Sequence, residues 1–326
     1  MAKNGLMDFL RAQKFQDILY PMDDHVCDYY DEDGFNSKQN SIKTHLNIFS
    51  MNIRSLPKHG GELLTLINML NTKFHVIVLT EIGARNLSLV EHLMPDYTFH
   101  YVIPATSAVG GVGIYVSDDL TNISVVPDHV IKTCNCHKCI YESLLIHFSV
   151  GNNEYSVAGI YRHPGGNLDH FVTDLENSLQ QVNENKTCIV AGDINIDIIK
   201  YDDHKVLNYL TAFLSKRYLP YITLPTRISF NRPTGPTATC IDHIFIRFSN
   251  ATSRLSTYSG MLYSDITITY HAFCLFYLII PILMIVLLDQ WLDFSEREIV
   301  INLKKKWAML IGIIYTRVMK IFMKYL

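Results

Sequence analysis

No excess of basic charge marks this chain. Lys and Arg number 28 against 31 Asp and Glu, and the formal net charge is −3. A domain that holds nucleic acid by charge alone is usually basic, so that class is excluded. A DNA substrate would have to be held by local arginines and a bound metal. No apolar run follows Met1, Ala2, Lys3, Asn4 and Gly5, so no signal peptide is expected. The cysteines lack a pairing pattern: there are 7, an odd count, scattered and mostly inside apolar runs. Reduced thiols and an intracellular setting, nucleus or cytoplasm, are the expectation. Long heptads and low-complexity tracts are missing as well. What is present is 48% apolar and 18% charged residues over 326 positions. That composition supports a packed core and excludes global disorder. The length suits one domain of about 250 residues with extensions better than two full domains.

The chain turns on residues 187–197, a short β-branched and small apolar run that ends Gly192-Asp193-Ile194-Asn195-Ile196-Asp197. Its length is that of a buried strand, delivering a carboxylate and an amide at its tip. Runs 46–52, 76–81 and 241–244 end in the same manner, on Asn52, Glu81 and Asp242. Around them the patterning predicts strands over 45–52, 74–79, 99–103, 112–116, 123–131, 144–148, 155–161, 218–224, 227–230 and 240–248. Helical spacing predicts helices over 63–70, 168–182 and 206–214, and a weak one over 8–20. Many short strands with few helices between them point to an α/β sandwich with helices outside two sheets. Residues 1–44 read as a partly flexible lead-in. Its acidic and aromatic stretch, Asp23 to Asp33, reads as a solvated arm in preference to a metal or basic-partner patch.

A carboxylate at a strand end, as at Glu81, is half buried and needs a cation. Asp193, Asn195 and Asp242 add oxygen ligands and hydrogen-bonding groups from other strands. Such a set suits Mg²⁺, with Mn²⁺ as an alternative, because Mg²⁺ prefers a few carboxylates, water and substrate phosphate to a closed protein cage. A metal there polarises a phosphoryl oxygen or stabilises a leaving oxyanion. A second carboxylate can orient or deprotonate the attacking water.

These segments, taken in order, resemble a known set. They are Asn52 in Met-Asn-Ile-Arg-Ser-Leu, Leu79-Thr80-Glu81, Gly159-Ile160-Tyr161-Arg162-His163-Pro164, Gly192-Asp193-Ile194-Asn195 and Cys240-Ile241-Asp242-His243. The set resembles the endonuclease/exonuclease/phosphatase superfamily, and within it the apurinic-type endonuclease domain of LINE-like non-LTR retrotransposons. The match covers roughly residues 45–275. The resemblance implies a four-layered αββα sandwich of the pancreatic-DNase type, Mg²⁺-dependent phosphodiester cleavage, and DNA as substrate. It implies Glu81 as principal metal ligand with Asn52 beside it. Tyr161 would hydrogen-bond the scissile phosphate or the leaving group. Asp193, helped by Asn195, would orient the water, and Asp242 would brace a later histidine. Arg54, Arg162 and His163 are the candidates for substrate contact. With Arg85 and Arg227, the two arginines follow the site loops and could form a basic rim; ordinary surface charge accounts for them equally well. No stable protein partner is expected.

The last motif departs from the family. The LINE version looks like Ser-Asp-Ile-Thr-Asp-His-Tyr-Pro, whereas this chain has Ser264-Asp265-Ile266-Thr267-Ile268-Thr269-Tyr270-His271. Ile268 and Thr269 stand where Asp and His belong. His271 comes two residues late, about 7 Å further along a strand. Neither Ile nor Thr polarises a phosphate as an imidazole does, so impaired cleavage is expected. His243, next to Asp242, should face the other side of its strand.

The domain reading is therefore 45–280, followed by an apolar and then basic helical tail over 281–326. Residues 271–288 are almost wholly apolar. They read as the last core strand running into an apolar extension, in preference to a membrane-spanning helix. Cys134, Cys136, His137 and Cys139 lie too close together for a usual structural zinc site, and a reduced hairpin loop is the better reading. Two rivals to the endonuclease reading stand. One is a phosphatase of the same superfamily; the other is a non-catalytic remnant, associated with a membrane through 271–288.

Overall fold

The computed structural model describes residues 26–39, 44–83, 85–104, 109–126, 141–200, 203–229, 237–249, 256–262, 264 and 273–279. These residues form fifteen strands and four α-helices. The first sheet contains β1 (Val26–Tyr30), β2 (Thr44–Asn52), β3 (Val76–Thr80), β4 (Tyr97–Val102), β5 (Val112–Ser117), β14 (Ser256–Leu262) and β15 (Phe273–Ile279). Its order is β1-β14-β15-β2-β3-β5-β4. The second contains β6 (Thr121–Val125), β7 (Tyr141–Val150), β8 (Asn153–Arg162), β9 (Thr187–Asp193), β10 (Leu219–Pro220) and β13 (Asp242–Arg247). Its order is β10-β13-β9-β8-β7-β6. A small ribbon pairs β11 (Arg227–Ser229) with β12 (Thr237–Thr239).

The sheets meet face to face. A Cβ on Gly159 of β8 would lie 2.7 Å from Val112 and 3.1 Å from Val78 in the other sheet, so glycine permits this approach. Helix α2 (Leu56–Met69) covers the outer face of the first sheet. Its Leu63 and Leu66, with the following Leu70, are fully buried among Phe49, Met51, Ile77 and Leu79. Each such leucine contributes about 2 kcal/mol. Helices α3 (Leu168–Gln181) and α4 (His204–Leu214) cover the second sheet. Phe171 stands edge-on to Tyr141 at 5.3 Å, and Phe213 stacks on Phe245 at 4.0 Å. The side-chain oxygens of Asn167 and Asp203 cap the two helices by accepting the N–H groups of His170 and Lys205. The result is the four-layered αββα sandwich expected from the sequence.

One reading of the chain's ends changes, and at the other end the strand reading holds. Val26–Tyr30 lies within the stretch read as a lead-in, yet it pairs in parallel with β14, Val26 opposite Tyr258. Cys27 and Tyr29 face inward, and the acidic composition masked that alternation. Helix α1 (Glu32–Gln39) follows and buries Phe35 against Phe74. Asp31 accepts the Gly34 N–H at 2.9 Å, and Glu32 and Asp33 occupy the first turn, where carboxylates favour the helix dipole. The acidic residues 31–33 are thus a helix start and not a solvated arm. All the described residues fall in one compact unit that runs through Asp24–Ile280.

At the other end, Phe273–Ile279 lies between β14 and β2, with Cys274 opposite Ser50. That strand excludes a helix spanning 271–288. Among the described residues no helix is long and apolar enough to cross a membrane. Residues 8–20, the cluster of Cys134, Cys136, His137 and Cys139, and the tail 281–326 lie outside the described residues. Cys27, Cys188, Cys240 and Cys274 are buried and form no disulfide among the described residues.

Candidate active site

Strand direction gathers the site at one edge of the sandwich. β2 and β3 run parallel, so Asn52 ends beside Thr80, and Glu81 follows. β8 and β9 also run parallel and end at Arg162 and Asp193. β13 runs against β9 and starts with Asp242 opposite Asp193. Glu81 and Asn195 both have positive φ, 54° and 55°, and Arg54 and Ser55 share that region with φ 51° and 103°. Such conformations cost on the order of 1 kcal/mol each in a non-glycine residue. The loops here are held by bonds from the Ser55 N–H to Glu81 O at 2.7 Å and the Leu56 N–H to Ile82 O at 2.9 Å.

At the centre is one amide between two acids. Asn52 Nδ2 donates to Glu81 Oε1 at 2.9 Å and to Asp193 Oδ2 at 2.7 Å. Tyr161 donates its hydroxyl to the same Glu81 oxygen at 3.0 Å. Burial, and then the charges of Glu81 and Asp193, push the Tyr161 hydroxyl well above its ordinary pKa, so it remains a donor. Asn52, Asp193 and Tyr161 are buried, while Glu81 is partly open. The Asn195 N–H donates to Asp193 Oδ1 at 3.1 Å, and its side-chain amide donates to Arg162 O at 2.8 Å. Glu81, Asn52, Tyr161, Asp193 and Asn195 thus come together as the sequence set implies.

Asp242 is adjacent, and its partner is one the sequence does not mark. Thr226, fully buried, donates to Asp242 Oδ2 at 2.7 Å and accepts the N–H groups of Ile241 and Asp242 at 3.1 Å. No charge or periodicity distinguishes that threonine in the sequence. Residues 265–271, including Ile268, Thr269 and His271, lie outside the described residues. His243 lies on the far side of its strand, where Tyr209 bonds its Nδ1 at 2.8 Å. Burial lowers its pKa to about 4, so it is neutral and has no part in the site.

Arg162 is the clear correction. The sequence offers it as a substrate contact, but it is 5% exposed. Its guanidinium donates to Ile194 O, Asn195 O and Gly166 O at 3.2, 3.3 and 3.1 Å and lies 5.7 Å from the Phe171 ring. It fixes the loop that carries Asn195 instead of facing solvent. Arg54, Arg85 and Arg227 are exposed. His163 turns back to Glu142, a fully buried carboxylate the sequence reading passed over.

Two carboxylates, Glu81 and Asp193, are what the site offers a cation. A single amide nitrogen holds Glu81 and Asp193 close, and two carboxylates so placed repel until a cation compensates. Among the described residues no group of three or more His, Cys, Asp or Glu could hold a metal.

Solved structures share the fold. The endonuclease domain of TRAS1, a telomere-specific non-LTR retrotransposon, matches at 12% identity and TM-score 0.52, over 72% of this chain and 98% of that one. D. rerio TDP2, complexed with single strand DNA product, matches at 14% and 0.52 over the same shares. An endonuclease/exonuclease/phosphatase family protein from Bacteroides thetaiotaomicron matches at 17% and 0.53, again over 72% and 98%. No curated protein matches in sequence. The family model described as Endonuclease/Exonuclease/phosphatase family covers residues 46–254, well over half of the chain, and the chain belongs to that family.

Proposed function

We propose that this chain is a Mg²⁺-dependent phosphodiester-cleaving enzyme of the endonuclease type, derived from a LINE-like retrotransposon and acting on DNA. Mn²⁺ is the alternative metal. Cleavage is impaired because Ile268 and Thr269 stand at the positions of the family's last Asp and His. The observation that carries this reading is the Asn52 amide shared by Glu81 and Asp193, with Tyr161 on Glu81. The TRAS1 domain and the DNA-bound TDP2 support the substrate class by likeness of fold.

Glu81, with Asn52 beside it, would hold the metal. When bound, the metal supplies positive charge for a phosphoryl or leaving oxygen. Asp193, its Oδ1 fixed by the Asn195 N–H, orients the attacking water and accepts its proton. Tyr161 keeps its proton and can turn its hydroxyl from Glu81 to a phosphate oxygen. Arg54, Arg85 and Arg227 offer the exposed positive charge along the DNA path.

Metal binding is testable without turnover. In thermal unfolding, Mg²⁺ or Mn²⁺ at about 100 times its Kd stabilises the chain by about 2.7 kcal/mol, a shift of a few degrees. Glu81→Ala abolishes that shift. An equal shift in Glu81→Ala would place the metal elsewhere and remove the proposed site. Plasmid DNA compared with a panel of phosphate monoesters separates the nuclease from a superfamily phosphatase.

A further inference from the structure

Glu142 is a carboxylate with no exposure at the start of β7. Burying it unpaired would cost several kcal/mol, so its partners matter. One is the Gly111 N–H, donating to Oε2 at 3.0 Å. The other is His163, whose Nε2 lies 2.9 and 3.0 Å from the two carboxylate oxygens. Pairing register explains the meeting. Glu142 is opposite Tyr161 across β7 and β8, so both point to one face, and His163 is two residues beyond Tyr161.

The fit is tight along the Cε1–Nε2 edge of the ring. Gly110 has φ 117°, and a Cβ there would come within 2.8 Å of His163 Cε1 and Nε2 and 3.0 Å of Glu142 Oε2. The His163 side chain nevertheless keeps 18% exposure. Its ring stands edge-on to Tyr161 at 4.7 Å, and the Tyr161 hydroxyl reaches Glu81. Among the described residues His163 Nδ1 has no hydrogen-bond partner.

We propose that Glu142 is a positioning residue that holds His163 beside Tyr161, so that the imidazole Nδ1–H donates to a phosphate oxygen of the bound DNA strand. This rests on the DNA-cleaving reading above and adds a phosphate contact from a part of the chain other than the altered 268–269 motif. Between a carboxylate and a phosphate the ring donates one N–H to each, so the bound form is the imidazolium. No heavy-atom bond is made or broken by the contact.

The test is binding of a short fluorescein-labelled DNA duplex, read by anisotropy in EDTA, so that neither metal nor cleavage enters. The proteins are the full chain, His163→Gln, Glu142→Gln and the double variant. The amide introduced by His163→Gln can still donate to Glu142, and Glu142→Gln preserves shape, which protects folding; unfolding midpoints are measured alongside. The expected result is roughly tenfold weaker binding for His163→Gln, the scale of one lost hydrogen bond to a charged group. Glu142→Gln weakens binding by a smaller factor. The double variant binds no more weakly than His163→Gln alone, because Glu142 acts through the ring. Undiminished binding by His163→Gln overturns the proposal, as does a Glu142→Gln effect of equal size with and without His163. If the unaltered chain binds the duplex neither in EDTA nor in Mg²⁺, the DNA reading falls together with this proposal. Binding that is intact but insensitive to His163 removes this proposal alone.

Discussion

In a chain carrying Ile268→Asp with Thr269→His, the further change Asp193→Ala lowers plasmid nicking in Mg²⁺ by about 1000-fold, within the range for a positioned acid–base group plus its electrostatic contribution. The expectation rests on how little freedom the carboxylate has. Asp193 is 1% exposed at the end of β9, with one oxygen on Asn52 Nδ2 and the other on the Asn195 N–H. No other described carboxylate shares that amide except Glu81, which is assigned to the metal. Asp193→Asn keeps the size but loses the proton acceptor, so it falls nearly as far. Conversion of supercoiled to open-circle plasmid measures both. A loss under about tenfold, with the unfolding midpoint unchanged, would place the water-orienting group elsewhere.

Gly192→Ala is expected to destabilise the fold by about 4 kcal/mol or more, the range reserved for backbone clashes and special φ/ψ positions. Gly192 has φ 144°, and a Cβ built there falls 2.0 Å from the carbonyl oxygen of Ile160. The obstacle is backbone of the neighbouring strand β8, so no side-chain rotation relieves it. The residue before Asp193 is therefore fixed by close approach of two strands, and the carboxylate inherits its position from that contact. Gly151→Ala serves as the comparison, because Gly151 has φ 58° with nothing within 4 Å of the added Cβ. It should cost only about 1 kcal/mol, the penalty for left-handed backbone alone. Urea unfolding midpoints decide the matter. If the two substitutions are equally mild, the steric account of Gly192 is wrong.

The residues that the sequence made legible share a physical trait. Asn52, Glu81 and Asp193 each end an apolar run, where a polar group at the tip of a buried strand stands out. Tyr161 gained its place from the fixed order of the segments around it. The fold followed from strand-length apolar runs separated by amphipathic helices. What escaped notice was masked by composition or by partners distant in sequence. β1 alternates, but its acidic and aromatic neighbours suggested solvent. Phe273–Ile279 did not escape: it is the last core strand the sequence suggests, although so uniformly apolar a run carries no periodicity to separate strand from helix. Glu142 lies in Tyr-Glu-Ser-Leu-Leu-Ile, where its burial depends on Gly111 and His163 from two other segments. Arg162 read as a surface cation because the carbonyls that consume its guanidinium lie on loops the sequence does not show converging. Asp197 completes the Asp-x-Asn-x-Asp run but is used structurally, accepting the Cys240 N–H at 3.0 Å.

Nicking of supercoiled plasmid in Mg²⁺ and in EDTA, by the unaltered chain and by Ile268→Asp with Thr269→His, tests the central claim most directly. The expected result is weak or absent nicking by the unaltered chain. The repaired chain should gain about 100-fold or more in Mg²⁺, the contribution of one positioned imidazole, and lose it in EDTA. Nicking by the repaired chain that persists in EDTA, or no nicking by either folded protein in Mg²⁺, would contradict the reading of Glu81, Asn52, Tyr161 and Asp193 as a metal-dependent phosphodiesterase site.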